Sequence, residues 1–215
     1  MRPTLCLLLT ALLISPNLLA WDDNRIDTLW RTEALTELSQ SLAEDGFERW
    51  YGYYRLGQLA LERGDKKAAK AALYLIRDEL KDNYETADQA ALYAATLGLS
   101  IALKPWQAVF IAGRAEKSLA ASEALSADHA PTAMVRGIGL FNTPALMGGD
   151  KAAALAHFNR ALALYEGAEA WGMEDAWLWQ IKALLALDRH TEAEASAFAL
   201  LTRYPDFILA KTVLE

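Results

Sequence analysis

A chain of 215 residues, 53% hydrophobic and only 23% charged, is long enough for one packed core and too apolar to stay disordered. Its net charge of -7 argues against nucleic acid and anionic membrane surfaces as partners, because both need clustered Lys and Arg. Ala and Leu dominate long stretches with little Gly or Pro, a composition that favours helix.

Residues 1–20 differ from the rest. Arg2 is their only charge; Leu5 to Ile14 is an apolar run; Ser15, Pro16 and Asn17 break it; and Ala20 precedes the polar Trp21-Asp22-Asp23. A basic start, a short apolar run and a small residue describe a secretory signal peptide. The run is shorter than the roughly 20 residues of a membrane span. Cleavage after Ala20 is expected, leaving 21–215 as an exported domain. Cys6, the chain's only cysteine, leaves with the signal, so the mature domain has no disulfide or thiol chemistry.

The next segment carries Ile26, Leu29, Trp30, Leu35, Leu38 and Leu42 at three- and four-residue steps. That spacing predicts one amphipathic helix, capped by Asp22 or Asp23 and ended before Gly46. From there the pattern repeats. Tyr53, Leu56, Gly57 and Ala60 share a helical face, Gly64-Asp65 makes a turn, and Ala69, Leu73 and Ile76 line a second helix. Ala133, Arg136-Gly137 and Leu140, then Gly149-Asp150, then Ala154, Phe158 and Ala161 repeat the scheme. Trp177 to Leu184, a turn near Asp188, and Ala193, Ala197 and Leu200 up to Tyr204-Pro205 repeat it again. Tyr53 and Ala133 stand two periods of about 34 residues plus roughly a dozen apart, which leaves room for one degenerate unit. Helices at 86–103 and 106–125 fill it, with Ala115, Leu119 and Ser122 on the inner face. Phe207 to Leu214 predicts a short closing helix.

On these residues the chain resembles the tetratricopeptide repeat family. The resemblance implies an all-α fold, an α-solenoid of about four helical hairpins with flanking capping helices. Clear repeats fall at about 50–80, 131–166 and 174–205, and the degenerate one at about 86–127. A narrower likeness runs from Arg136-Gly137 through Thr143-Pro144 and Gly148-Gly149-Asp150 to His157-Phe158 and Ala161. There the chain resembles the T-component-like repeat proteins associated with tripartite ATP-independent periplasmic (TRAP) transporters. That likeness implies a periplasmic protein that docks a solute-binding protein.

The repeat register places Tyr51, Tyr54, Gln58 and Leu61, then Met134, Ile138 and Phe141, then Leu178, Lys182 and Leu185 on the concave face. So apolar a surface fits a lipid-like ligand, an apolar peptide or a partner's helix; alternatively the stack curls and these residues pack on one another. Trp106, after Pro105 at a turn, is the candidate exposed contact. Gly148-Gly149-Asp150 lacks the Gly-Lys-Ser/Thr ending of a phosphate loop and reads as a turn whose Asp150 caps a helix. His129, His157 and His190 lack metal-ligand spacing, and no nucleophile motif is present. The sequence therefore predicts no enzyme, metal or cofactor, but a binding scaffold for a protein partner or an apolar small molecule. An envelope assembly protein that self-associates through the same apolar face is the alternative, so a homo-oligomer stays open.

Overall fold

The computed structural model describes residues 24–81, 83–166 and 170–213. The expected signal peptide and the Asp22 or Asp23 cap lie outside them. The described residues form α1 (Asn24–Arg31), α2 (Leu35–Gln40), α3 (Gly46–Glu62), α4 (Lys66–Leu80), α5 (Ala87–Leu103), α6 (Ala108–Leu125), α7 (Ala130–Asn142), α8 (Lys151–Tyr165), α9 (Met173–Ala186), α10 (His190–Arg203) and α11 (Ile208–Thr212). No strand occurs among them, and none of these helices is long and apolar enough to cross a membrane.

Neighbouring helices pack in pairs: α3 on α4, α5 on α6, α7 on α8 and α9 on α10. The first helices of successive pairs also touch, α3 against α5, α5 against α7 and α7 against α9. Small residues set two of the crossings. A Cβ on Gly57 would lie 2.9 Å from Leu73 Cδ2, and one on Gly137 would lie 2.6 Å from the Phe158 ring. Gly57 faces Leu73 as Gly137 faces Phe158, the equivalence the sequence register predicts.

Helix starts follow capping chemistry. Asp65 Oδ1 accepts from the backbone N–H groups of Lys67 and Ala68, and Asp150 Oδ1 from those of Ala152 and Ala153, at 2.8–3.1 Å. Thr86 and Gln89 form a reciprocal capping box at the start of α5, satisfying donors that a helix start otherwise leaves open. α5 is apolar all round, as a helix with neighbours on every side must be; residues 90–97 are all buried. The buried Thr96 and Ser100 hydroxyls donate within the helix, Thr96 to the Leu92 carbonyl and Ser100 to that of Thr96, each at 2.8 Å. Ser118 of α6 donates across to the Ala90 carbonyl at 2.7 Å.

Two expectations change, and two further positions are fixed by the structure. The single N-terminal helix is two, because Glu33 takes a left-handed φ of 53° and turns the chain; Arg63 Nη2 donates to the Glu33 carbonyl and pins the corner. Residues 105–107 form a short 3-10 turn ahead of α6, so Trp106 precedes that helix instead of opening it. In the insert after α7 the left-handed residue is Gly148, at φ 93°. Gly149 is required for space, since a Cβ there would stand 1.8 Å from the Thr143 carbonyl oxygen. His157 is half-buried, and burial pushes its pKa down.

The first and last parts of the described residues meet. Trp30 of α1 packs on Phe207, ring centroids 4.9 Å apart, and the Arg31 guanidinium lies 4.6 Å over the Tyr204 ring. Arg31 Nη1 also donates to Glu174 Oε1 of α9 at 2.6 Å. α1 therefore touches both the first helical pair and the last.

Candidate functional site

Where α1, α3 and α9 converge, five charged side chains are buried together: Asp27, Arg31, Arg55, Glu174 and Asp175. Arg55 is the hub. Its Nε donates to Asp27 Oδ1 at 2.7 Å and its Nη1 to Asp175 Oδ2 at 2.5 Å. Tyr51 donates its hydroxyl to Asp27 Oδ1 at 2.6 Å. Gln58 Nε2 donates to Asp175 Oδ1 at 3.1 Å. The Arg55 guanidinium also stacks 3.7 Å above the Trp30 ring. Helical spacing explains the grouping: Tyr51, Arg55 and Gln58 stand at steps of four and three on α3, and Asp27 and Arg31 four apart on α1, so each set projects from one face.

Three carboxylates here share two guanidiniums. Burial, then repulsion from Asp27, pushes Glu174 up to about 8. Burial also raises Asp175, against the pull of Arg55. Burial alone would lower Arg55, but Asp175 and Asp27 hold it well above its usual value and charged. Burial therefore favours the protonated form of Glu174 relative to an exposed glutamate. Tyr51 and Tyr54 are buried phenols whose pKa values rise for the same reason, desolvation.

Beside this cluster opens a cleft of about 270 Å³. Its walls are Trp30, Leu61, Leu99, Leu178 and Trp179, and its polar groups come from Gln58, Glu62, Asp175 and Lys182. Glu62 stands at the water-exposed mouth, and the protein around it pushes its carboxyl up to about 7. Lys182 is half-buried, its pKa lowered by desolvation, and its Nζ lies 4.4 Å from the Trp179 ring centroid. Phe141 braces Trp179 edge-on from the far side, centroids 5.3 Å apart.

The concave residues expected from sequence therefore divide. Gln58, Leu61, Leu178 and Lys182 come together in the cleft. Tyr51, Tyr54 and Met134 are core residues: the first two pack on Trp171, centroids 5.6 and 6.1 Å away, and the third receives a long contact from the Tyr165 hydroxyl. They offer no open binding surface, because α9 and the segment before it close over them. Ile138, Phe141 and Leu185 are half-buried outside the cleft. Trp106 is exposed, at 68%, beside Val109 at 74% and Phe110 at 70%.

Sequence reasoning missed Trp30, Glu62, Leu99, Asp175 and Trp179 as wall residues, and Arg55 as their anchor. A signal was present: Arg55 interrupts the apolar face of α3, and Glu174-Asp175 open the apolar-rich α9. Among the described residues no cluster of His, Cys, Asp or Glu is arranged to hold a metal ion. No family model, curated protein or solved structure matches this chain.

Proposed function

We propose that this protein is an exported, non-enzymatic scaffold of tetratricopeptide type, an α-solenoid whose inner side holds a small ligand or a partner segment. The observation that carries this reading is the cleft. It lies where the register of a repeat stack puts the concave face, and it contains Gln58, Leu61, Leu178 and Lys182 from two different repeats. The equivalent Gly57–Leu73 and Gly137–Phe158 crossings support the repeat assignment. The leader-like residues 1–20 support export to a periplasm, and the insert around Thr143-Pro144 and Gly148-Gly149-Asp150 supports a solute-binding protein as the partner.

Binding here is a matter of shape and burial. Apolar walls of a preformed cleft gain about 25 cal/mol per Å² removed from water, and the fixed charges set orientation. Native mass spectrometry of protein purified from its own envelope tests the reading. A retained small molecule or a co-purifying solute-binding protein supports it. A bare chain without ligand or partner refutes it.

The second reading, self-association in envelope assembly, now draws on a different surface. Tyr54 is buried and Phe141 half-buried, but Trp106, Val109 and Phe110 form an exposed apolar group at the start of α6, and Leu146 and Met147 are exposed in the insert. A symmetric oligomer that Phe110→Glu disperses favours this reading; a monomer at high concentration excludes it.

A further inference from the structure

We propose that the cleft binds a small zwitterion with an apolar side chain, the chemistry of a branched or aromatic α-amino acid, its ammonium at Glu62 and its carboxylate at Lys182. The proposal rests on the scaffold reading above and specifies its ligand.

Size comes first. About 270 Å³ is just below the roughly 300–1,000 Å³ of sites for drug-sized ligands, so a lipid or a folded peptide segment is too large and an amino acid is of the right order.

Charge comes second. The cleft presents a basic and an acidic side chain, Lys182 and Glu62, that form neither an ion pair nor a hydrogen bond with each other among the described residues; a ligand ammonium beside Glu62 would favour its ionised form. Asp175, by contrast, is taken up by Arg55 and Gln58. An uncharged apolar ligand would desolvate Glu62 and Lys182 with no compensation, which is costly. A simple acid would meet Lys182 but face Glu62 and Asp175; a simple amine would meet Glu62 but face Lys182. One ligand carrying both charges satisfies both.

The walls supply the third argument. Trp30, Leu61, Leu99, Leu178 and Trp179 line the cleft beside these two groups with apolar surface on which a side chain can pack.

Isothermal titration of the purified protein with L-leucine and L-phenylalanine tests this, alongside 3-methylbutylamine, 2-phenylethylamine, 4-methylpentanoic acid and 3-phenylpropanoic acid. The expected result is saturable binding of an amino acid and binding about ten-fold or more weaker for each singly charged analogue. Glu62→Gln and Lys182→Met are each expected to lose a similar factor, with unchanged circular dichroism. The analogue series needs no variant, so it stands even where a substitution disturbs folding. Equal binding of an amine or an acid overturns the proposal, as does no binding of either amino acid at millimolar concentration. If amino acids fail while native mass spectrometry retains a partner protein, the ligand assignment falls and the scaffold reading survives. If leucine binds and no partner is retained, the ligand assignment survives and the docking role falls.

Discussion

The junction of α1, α3 and α9 and the edge formed by residues 105–110 invert the usual arrangement of a protein. The junction buries five charged side chains, while the edge leaves Trp106, Val109 and Phe110 in water. Residue type alone decides neither. At the junction every buried carboxylate accepts from a guanidinium, and Arg55 is matched on two sides and stacked on Trp30, so burial is tolerable. At the edge, apolar groups are left open because none of the packed helices covers the first turn of α6. The difference teaches that a paired charge can be core and that an unpaired apolar cluster is surface awaiting a partner.

The largest break in this comparison comes from removing the hub. Arg55→Met leaves Asp27 and Asp175 buried without their cation and is expected to cost about 3–5 kcal/mol, read as a lowered denaturation midpoint in urea. Crowding a helix crossing comes next. Gly137→Ala puts a methyl 2.6 Å from the Phe158 ring and is expected to cost about 1–3 kcal/mol, whereas Gly139→Ala, with open space at its Cβ position, is expected to cost nothing measurable. Loss of a cap should be smaller: Asp150→Ala frees two N–H groups of α8 and should cost about 1 kcal/mol.

pH sharpens the contrast between junction and edge. The folded chain holds Glu174 near pKa 8, above the ordinary glutamate value of about 4.3. Between those values the folded state binds more protons than the unfolded one. Its contribution is therefore fully present at acid pH and is lost as pH rises through about 8. Thermal melts are expected to fall as pH rises from about 4.3 to about 8 and to level off above that, and Glu174→Gln is expected to flatten that slope. The smallest effect belongs to the edge. Trp106→Ser and Phe110→Ser should change stability by no more than about 0.5 kcal/mol, and any self-association measured by sedimentation should weaken without a change in melting temperature.

Local rules were legible in the chain and hold in the structure. Asp65 and Asp150 cap helices because a short carboxylate reaches the open N–H groups two and three residues on. Gly57 and Gly137 sit at crossings because only a hydrogen fits beneath Leu73 and Phe158. Ala193, Ala197 and Leu200 are buried as their four- and three-residue steps require. Each of these depends on neighbours within one turn or one hairpin. The split at Glu33 escaped notice because periodicity continues across it: Leu29, Leu35 and Leu38 keep helical spacing while one left-handed residue redirects the chain.

The site was legible by halves. The repeat register picked Gln58, Leu61, Leu178 and Lys182, since it says which face of each first helix looks inward. It also picked Tyr51, Tyr54 and Met134, which share that face but lie deeper, under Trp171 and Gly172. By itself the sequence determined most of the helices, the Asp150 cap and the pairing of neighbouring helices, because those follow from spacing along one chain segment. Only the tertiary structure decided that α1 reaches α9, that Arg55 finds Asp27 and Asp175 together, and that Gln58, Leu61, Leu178 and Lys182 line one small cleft. The contacts of Arg55 with Asp175 and of Arg31 with Glu174 join residues 120 and 143 positions apart, and their geometry depends on how every helix between them packs, which no local pattern of residues encodes.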